Sequence, residues 1–343
     1  MYLFLYPTNI KKWMGYQDYL KNKTVLITGG TGSIGTSLLD SILKLECKSI
    51  RLMSNNEHEL FLAKQKYGEN SKLRFLLGDV RDRKRTNTAT KNVDVVFHAA
   101  ALKHVPICEY NPFDAVQTNV IGTQNMIESS IDANVEKFIF ISTDKATSPL
   151  STLGATKLLA ERLTIASMAY GTTSNTIMYC VRFGNVLGTR GSVFEVFFNQ
   201  IKEGKSITLT NKEMTRFTMT TNDATKLILS TMDIAKGGEI FVLKMPVMKM
   251  VDFANAMIEL YGKEKEIEVK EIGMRENEKF HEELISEEES IRTKEINNLF
   301  VIPPHFSKEY DKYPKLKNKY SSDIIESMEV DDIKKMLQDN MFK

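Results

Sequence analysis

Cysteine is scarce in this chain. The 343 residues include three cysteines, Cys47, Cys108 and Cys180, and none of them has C-x-x-C spacing. A disulfide framework needs an even set of cysteines at regular spacings, so this odd and scattered set is typical of a reducing compartment. We therefore expect a cytoplasmic protein, and the sequence suggests no metal site.

An excess of charge of either sign is also missing. The chain carries 46 Lys and Arg against 44 Asp and Glu, so its net charge is only +2. A nucleic-acid or acidic-membrane partner usually requires a clear basic excess, and we expect neither. Lysine and tyrosine alternate between residues 310 and 320, but Asp311 interrupts them. We interpret this stretch as a solvated, loosely ordered surface.

Long hydrophobic runs are the third absence. No stretch of the sequence is apolar enough to span a membrane, which takes about 20 residues. The first ten residues, MYLFLYPTNI, lack a basic lead-in and are interrupted by Pro7, so they do not resemble a signal peptide. We expect residues 1–22 to form an extension that packs on the protein body or on a neighbour.

A glycine-rich turn is the first positive feature. The β-branched run TVLIT begins at Thr24 and leads into GGTGSIG and an amphipathic segment, which predicts a strand, a tight turn and a helix. Such a turn lets the backbone approach a pyrophosphate, and the helix amino terminus offers free N–H groups to the anion. A P-loop is disfavoured because Thr36 stands where that motif requires lysine. The turn residues expected to hold a dinucleotide are Gly29, Thr31, Gly32, Ser33, Ile34 and Gly35.

The ends of the next three predicted strands extend this cofactor site. The second strand ends in Ser54 and Asn55 instead of the acidic residue typical of NAD sites, which slightly favours NADP and leaves NAD possible. Asp79 follows the third strand and is suited to hydrogen-bond an adenine. Three alanines end the fourth strand, and their small side chains let a flat cofactor lie against the backbone. The further residues expected to contact the cofactor are Ser54, Asn55, Asp79, Val80, Ala99, Ala100, Ala101, Lys103 and Asn119.

The stretch FIFISTDKATSPLSTLGATK, residues 138–157, carries the most chemistry. Its first half predicts a buried strand that delivers an acid and an amine, Asp144 and Lys145, at the end where α/β sheets place their active sites. Neighbours on a strand point to opposite faces, so the backbone must leave strand geometry by Asp144 for both to reach one ligand. The helix that follows carries Leu153 and Lys157 one turn apart on one face.

A second anion site is predicted further along the chain. Arg190 and Ser192 follow the strand NTIMYCVRFGNV, and a helix starts near Val193, so arginine and helix amides could hold a second phosphate. Arg216 lies in the basic turn MTRFTMT. His104 follows the fourth strand, where a structural role and a functional one are equally consistent with its position.

The alternation of strands and helices predicts the fold class. We expect an α/β protein with a Rossmann-like, doubly wound parallel sheet and a smaller mixed α/β lobe that binds substrate. The predicted cofactor domain comprises residues 23–185 and about 215–245. The substrate lobe is assigned to residues 186–214 and 246–302, and residues 303–343 to a carboxyl-terminal tail.

The motifs TGGTGSIG, STDKA, GATK, RFGNVLGTRGSV and EKFHEELISEEE together resemble one known family. The matching text spans most of residues 24–292 and is similar to extended short-chain dehydrogenase/reductases, in particular UDP-N-acetylglucosamine 4,6-dehydratases. The resemblance implies a homo-oligomer with a UDP-N-acetylhexosamine substrate, acting in surface glycan or polysaccharide synthesis. In that reaction a hydride leaves sugar carbon 4 for NAD(P)+, water is eliminated across carbons 5 and 6, and the hydride returns to carbon 6.

The resemblance also implies roles for the polar residues after the buried strand. Lys145 would take the carbon-5 proton and Asp144 would protonate the departing hydroxyl. Each must be neutral to do so, and burial beside the nicotinamide would favour the neutral pair. Thr143 can hydrogen-bond the carbon-4 hydroxyl, and Lys157 matches the lysine that binds the nicotinamide ribose. Leu153 stands where most of the superfamily has a tyrosine, so Asp144, Lys157 through water, or another tyrosine are open candidates for the carbon-4 base.

Substrate contacts follow from the same resemblance. The residues implied for the UDP-sugar are Lys103, His104, Asn185, Arg190, Ser192, Arg216 and Arg275. The family usually reads R-P-G-E-K from Arg275 onward, whereas this chain reads R-E-N-E-K, which puts the loop shape in doubt. Two other interpretations stay open: a UDP-sugar 4-epimerase or reductase, which needs the missing tyrosine, and a non-catalytic dinucleotide-binding protein, for which Leu153 is the main argument.

Overall fold

The computed structural model describes residues 15–170, 175–262, 266–274, 276–305 and 307–341. Arg275 and most of the predicted extension at residues 1–22 lie outside these ranges. The strands of the described residues are β1 (Thr24–Thr28), β2 (Ser49–Ser54), β3 (Leu73–Leu77), β4 (Val95–His98), β5 (Lys137–Ile141), β6 (Ile177–Arg182), β7 (Asn185–Val186), β8 (Ile207–Leu209), β9 (Thr215–Met219), β10 (Ile240–Leu243), β11 (Val247–Lys249), β12 (Val269–Glu271), β13 (Glu283–Ile285), β14 (Lys294–Ile296), β15 (Leu299–Ile302) and β16 (Tyr320–Ser321). The α-helices are α1 (Gly15–Leu20), α2 (Ser33–Ile42), α3 (Glu57–Tyr67), α4 (Arg83–Thr90), α5 (Val105–Tyr110), α6 (Pro112–Ala115), α7 (Gly122–Asp132), α8 (Thr152–Tyr170), α9 (Val193–Lys202), α10 (Thr221–Thr231), α11 (Met250–Tyr261), α12 (Glu287–Ser290) and α13 (Val330–Met341).

The central sheet confirms the predicted fold class. Within the described ranges it has nine strands in the order β14-β15-β10-β6-β5-β4-β1-β2-β3. The strands from β10 to β3 pair in parallel, and the two at the other edge, β15 and β14, are antiparallel. β1, β4 and β5 are buried along their whole length, as apolar strands covered by helices on both faces should be. The strand order reverses between β1 and β4, which opens a crevice at their carboxyl ends.

The glycine turn after β1 is as tight as the sequence predicts. Gly29 has φ 62°, and a Cβ atom there would lie 2.7 Å from the backbone nitrogen of Ala100. A Cβ at Gly35 would lie 2.4 Å from the carbonyl oxygen of Gly29. Glycine is therefore required at both positions for β1, α2 and the end of β4 to approach so closely. This packing aims the amino terminus of α2 at the crevice.

A π-helical turn interrupts the long helix beside the crevice. Residues Val116–Ile121 form this turn between α6 and α7, and it contains the buried Asn119. Such turns are rare and often occur at functional sites because they redirect side chains relative to an α-helix.

A second hydrophobic core lies beside the main one. It is formed by residues of β8, α9, α11 and α13 and includes Phe197, Phe253 and Leu337. The tail proposed for residues 303–343 is thus divided, because α13 joins this core and β16 pairs with β13. Likewise β14 and β15, proposed as part of the substrate lobe, extend the central sheet.

The interpretation of residues 310–320 as a loosely ordered surface is wrong for two of its tyrosines. Tyr310 is 4% exposed and donates to Glu239 Oε1 at 2.8 Å, and Tyr320 is 7% exposed within β16. These two rings pack on the edge of the main core, which explains why tyrosines alternate with lysines in this stretch. Across the described part of the chain, no helix combines the length and the apolar character needed to cross a bilayer.

Candidate active site

A cavity of about 1250 Å³ opens at the carboxyl ends of the parallel strands. It extends from the glycine turn, past the ends of β4 and β5, to β9 and the start of α9. Its volume exceeds the roughly 300–1,000 Å³ typical of a pocket for one small ligand. The predicted cofactor residues that line it are Gly29, Thr31, Gly32, Ser33, Ile34, Gly35, Ser54, Asn55, Asp79, Val80, Ala99, Ala100, Ala101, Lys103 and Lys157.

The corner after β2 contains an acidic residue that the sequence analysis missed. Thr31 Oγ1 donates to Glu59 Oε2 at 2.6 Å and contacts Ser54 Oγ at 2.8 Å. Glu59 lies in α3, four residues beyond Asn55, and also pairs with Arg190. The corner therefore offers hydroxyls, one carboxylate and one arginine to whatever binds there.

Asn119 is the predicted cofactor residue that does not line the cavity. Its Oδ1 accepts from the Leu102 backbone N–H at 2.8 Å, and its Nδ2 donates to Leu102 O at 3.2 Å and to Thr156 Oγ1 at 3.0 Å. The side chain thus fastens the segment after β4 to α8 from behind the cavity wall. The π-helical turn is what points it there.

The acid and the amine meet after β5. Thr143 is still extended, and the chain leaves strand geometry by Asp144, as predicted; it does so in a 3₁₀ turn over Asp144–Ala146 that Thr143 Oγ1 caps. Thr143 Oγ1 donates to Asp144 Oδ1 at 2.8 Å, and Lys145 Nζ lies 3.0 Å from the same oxygen. Thr143 and Lys145 line the cavity, whereas Asp144 is fully buried directly behind them. Asp144 Oδ2 has no hydrogen-bond partner among the residues described.

Without ligands, Lys145 is not yet the neutral amine that the elimination requires. Burial lowers the pKa of Lys145, but the Asp144 and Glu282 carboxylates more than offset this and raise it above its usual range. Glu282 Oε1 lies 3.2 Å from Lys145 Nζ. Two carboxylates around one amine favour the ammonium form, so Lys145 is charged in the protein without ligands.

Lys157 and Leu153 lie side by side on α8 and both line the cavity. Lys157 Nζ donates to Ile141 O at 2.5 Å and sits 4.2 Å from the centre of the Phe140 ring. Burial lowers the pKa of Lys157 to about 8. Leu153 packs against Cys108 and neighbouring apolar groups, so an apolar wall replaces the hydroxyl that a tyrosine would bring.

The predicted second anion site adjoins the glycine turn. Asn185, Arg190 and Ser192 all line the cavity. Ser192 precedes α9, and its buried Oγ has no partner in the described ranges, so it is free to bind a ligand. Arg190 Nη2 donates to Thr31 O at 2.5 Å. This contact places the arginine beside the predicted cofactor turn.

Lys103 and His104 also line the cavity. Lys103 Nζ donates to Arg190 O, and the His104 ring packs on Gly191, where a Cβ would lie 2.4 Å from His104 Cε1. Burial lowers the pKa of both side chains, and Lys103 lowers that of His104 further. The two residues therefore brace the loop that carries Arg190.

Arg216 lies at the far end of the cavity and is largely buried. Its guanidinium donates to Phe280 O at 3.0 Å and to Lys279 O at 2.9 Å, and it lies 3.6 Å from Glu278 Oε1. It thus anchors the segment that follows the undescribed Arg275.

Sequence reasoning missed three polar groups of this site. Ser142 lines the cavity with a buried hydroxyl that no described residue hydrogen-bonds. Its position directly after β5, where α/β sheets place active-site residues, could have identified it from the sequence. Glu59 is separated from the predicted corner by a helix start, and Glu282 is 137 residues from Lys145. Only the motif EKFHEELISEEE pointed toward Glu282.

The doubly wound sheet and the crevice at its switch point define a Rossmann-like α/β protein. More particularly, residues 25–304 match the family described as "Polysaccharide biosynthesis protein", and the chain belongs to this family. It is 52% identical over 293 residues to the "Uncharacterized membrane protein MJ1061" of Methanocaldococcus jannaschii, which covers 84% of this chain and 88% of that protein. It is 38% identical over 331 residues to a "UDP-glucose 4-epimerase" of Rickettsia akari, covering 92% of this chain and 95% of the relative.

Two solved structures share this fold. Pen from Bacillus thuringiensis is 43% identical with a TM-score of 0.88, over 94% of this chain and 100% of that one. DesIV of Streptomyces venezuelae, a dTDP-glucose 4,6-dehydratase solved with NAD bound, is 20% identical with a TM-score of 0.66, over 75% and 86% of the two chains. The second likeness concerns the fold alone.

Proposed function

We propose that the protein is a UDP-N-acetylglucosamine 4,6-dehydratase that forms a UDP-4-keto-6-deoxy-hexosamine, with or without inversion at carbon 5. The observation that supports this most is the Asp144–Lys145 pair, 3.0 Å apart at the carboxyl end of β5, beside a cavity that begins at a glycine turn. A sugar elimination needs an acid and a base at one place, and a simple oxidation needs neither of these two groups.

The proposed roles rest on the family resemblance; Thr143, Lys145 and Lys157 line the cavity, and Asp144 lies directly behind its wall. Lys145 passes its ammonium proton to Asp144 across their 3.0 Å contact and then removes the carbon-5 proton, and Asp144 gives the transferred proton to the departing carbon-6 hydroxyl. Thr143 hydrogen-bonds the carbon-4 hydroxyl at the mouth of the turn. Lys157 holds the nicotinamide ribose, and its place on the cavity wall together with its lowered pKa makes it the candidate for the carbon-4 base. When bound, the nicotinamide supplies the acceptor for the carbon-4 hydride.

The cofactor is proposed to be NADP, with NAD as the alternative. NADP is favoured because Ser54 ends β2 and Asn55 follows it, which leaves room for a ribose phosphate. NAD is favoured by Glu59 from α3, which is suited to a ribose hydroxyl, and DesIV was solved with NAD. Arg81 and Arg190 also reach this end of the cavity, but each is paired with a carboxylate, Asp79 or Glu59. To bind NADP, one of these arginines would have to exchange its carboxylate partner for the 2′-phosphate.

The UDP moiety is proposed to bind between α9 and β9. The amino terminus of α9 with the free Ser192 hydroxyl suits a diphosphate, and Arg216 lies across the cavity from it. Asn185, Lys103 and His104 line the path between them. Arg190 is placed to contact both the cofactor turn and the substrate.

The test is a reaction followed by proton NMR. The purified protein is incubated with UDP-N-acetylglucosamine and either NADP+ or NAD+ in catalytic amount. The proposal predicts a new carbon-6 methyl doublet and loss of the carbon-4 proton, and the ring couplings give the carbon-5 configuration. An unchanged spectrum from protein that binds both ligands would favour a non-catalytic dinucleotide-binding protein.

A UDP-sugar 4-epimerase is the second candidate, because the Rickettsia akari relative carries that name. Against it, an epimerase makes no use of an acid and amine pair after Thr143, and Leu153 replaces its usual tyrosine. The same spectra separate the two, since an epimerase inverts carbon 4 and leaves the carbon-6 hydroxymethyl group intact.

We also propose a cytoplasmic homo-oligomer. α5 and α6 expose Tyr110, Phe113 and Ile107, at 87%, 70% and 55% exposure, beside the helices that flank the sheet. Three large apolar side chains exposed within seven residues favour an interaction site here. Light scattering during gel filtration should give a multiple of the chain mass, and a Phe113→Glu variant should shift it toward one chain.

A further inference from the structure

A second carboxylate lies against Lys145. The Glu282 side chain is 4% exposed, and its backbone N–H donates to Ser322 Oγ at 2.9 Å just before β13. Glu282 Oε1 lies 3.2 Å from Lys145 Nζ, and Asp144 Oδ1 lies 3.0 Å from the same nitrogen. The ammonium is therefore held between two carboxylates, and only Asp144 belongs to the STDKA motif.

Lys145 is the principal partner of Glu282. The other oxygen, Glu282 Oε2, is buried and no described residue hydrogen-bonds it. Arg216 is the next cation, but its Nε is 4.0 Å from Glu282 and its terminal nitrogens already donate to backbone carbonyls. A buried carboxylate with an unsatisfied oxygen is costly, so a folding role alone does not explain it.

We propose that Glu282 is a positioning residue of the elimination site, which holds the Lys145 amine at the cavity wall and keeps it protonated until ligands bind. Its consequence for turnover rests on the proposed dehydratase function. The effect of Glu282 on the Lys145 proton does not rest on that function, because it depends only on the burial of the amine and on the charges packed around it.

Charged groups from three segments face this pair. Asp144 comes from the turn after β5, Arg216 from β9, and Lys279 and Glu278 from the segment before β13. Burial and then repulsion by Asp144 raise the pKa of Glu282, while the three cations, first Lys145 and then Arg216 and Lys279, oppose this. Without the Glu282 charge, one carboxylate instead of two would face Lys145. The amine would then lose its proton at lower pH.

The test measures the proton of Lys145 directly. The pH dependence of Lys145 acetylation by acetic anhydride is read by mass spectrometry in the wild type, Glu282→Gln, Glu282→Asp and the control Glu283→Gln. Glu282→Gln should lower the midpoint by about 1 pH unit or more. Glu282→Asp keeps the charge and should restore most of the wild-type midpoint. Glu283 pairs with Lys319 instead, so its variant should leave the midpoint unchanged.

Turnover provides the second measurement. If Lys145 is the base, the rising limb of the kcat profile in Glu282→Gln moves to lower pH together with the acetylation midpoint. A merely structural loss would lower kcat at every pH without moving the limb. A shifted midpoint in a protein that turns over no UDP-sugar would contradict the proposed function and leave the role of Glu282 standing.

An unchanged Lys145 midpoint in Glu282→Gln would overturn the inference. If that variant does not fold, the acetylation midpoint of Lys145 in the wild type still tests the inference. Lys145 must then be acetylated only above the pH at which an exposed lysine such as Lys84 reacts. A midpoint equal to that of Lys84, or below it, is the contradicting result.

Discussion

Asp144 and Lys145 are the residues on which the proposed chemistry depends. Replacing either by Asn or Met should lower kcat by about 10²- to 10⁴-fold, because a positioned acid or base contributes that much. Dinucleotide binding should be retained, since neither side chain contacts the glycine turn. Steady-state rates and cofactor titration measure the two effects. The variant Lys84→Met, at an exposed lysine on α4, is the matched control. An equal loss of activity in this control would show that the loss does not come from removal of the acid or the base.

Lys157 makes stability depend on pH in a direction that its burial determines. Its pKa is about 8 in the folded protein and about 10.4 in an unfolded chain. Between these values the unfolded chain binds more protons, so the free energy of unfolding rises with pH. Lys157→Met removes this contribution. The free energy of unfolding of the wild type, minus that of the variant, should increase by on the order of 1–3 kcal/mol between pH 7 and pH 10. Urea unfolding measures this difference.

A constant difference between wild type and Lys157→Met across that pH range would show that the ammonium is not disfavoured by burial. Lys157→Met should also weaken dinucleotide binding at every pH, because a hydrogen-bond donor to the ribose is lost.

At the scale of elements, a buried ion triad ties β6 to two helices. Arg182 at the end of β6 donates to Glu161 of α8 at 2.9 and 2.6 Å, and to Glu289 of α12 at 2.8 and 3.0 Å. Arg182 is fully buried. Arg182→Met would leave two buried carboxylates without a cation and should cost about 3–5 kcal/mol of unfolding free energy. Chemical unfolding measures this, and a loss below about 1 kcal/mol would contradict it.

Elements with a strong local pattern could be predicted from the sequence. The run TVLIT followed by glycines predicted β1 and α2, because an apolar period and a turn are local properties. The departure from strand geometry by Asp144 was predictable because two neighbouring side chains had to reach one ligand. Tyr310 and Tyr320 could not be placed, because their burial depends on Glu239 and β13, far away in the chain. The second carboxylate beside Lys145 could not be predicted either, since Glu282 is far away in the chain.

The whole molecule places one cavity between two hydrophobic cores. Its walls come from the main sheet at the glycine turn and from the second core at Phe197 and Met250. A ligand that contacts both should stabilise them together. NADP+ at 100 times its dissociation constant should raise the free energy of unfolding by about 2.7 kcal/mol. Thermal unfolding with NADP+ and with NAD+ at equal concentrations compares the two, and a larger shift with NAD+ would reverse the proposed preference.

The fate of the carbon-4 hydride tests the central claim most directly. UDP-N-acetylglucosamine deuterated at carbon 4 is incubated with the protein and catalytic cofactor, and the product is examined by NMR and mass spectrometry. A 4,6-dehydratase returns the hydride within the same sugar, so we predict a CH₂D group at carbon 6 and a product one water lighter. Deuterium retained at carbon 4 with inverted configuration and an unchanged mass would contradict the account and identify an epimerase.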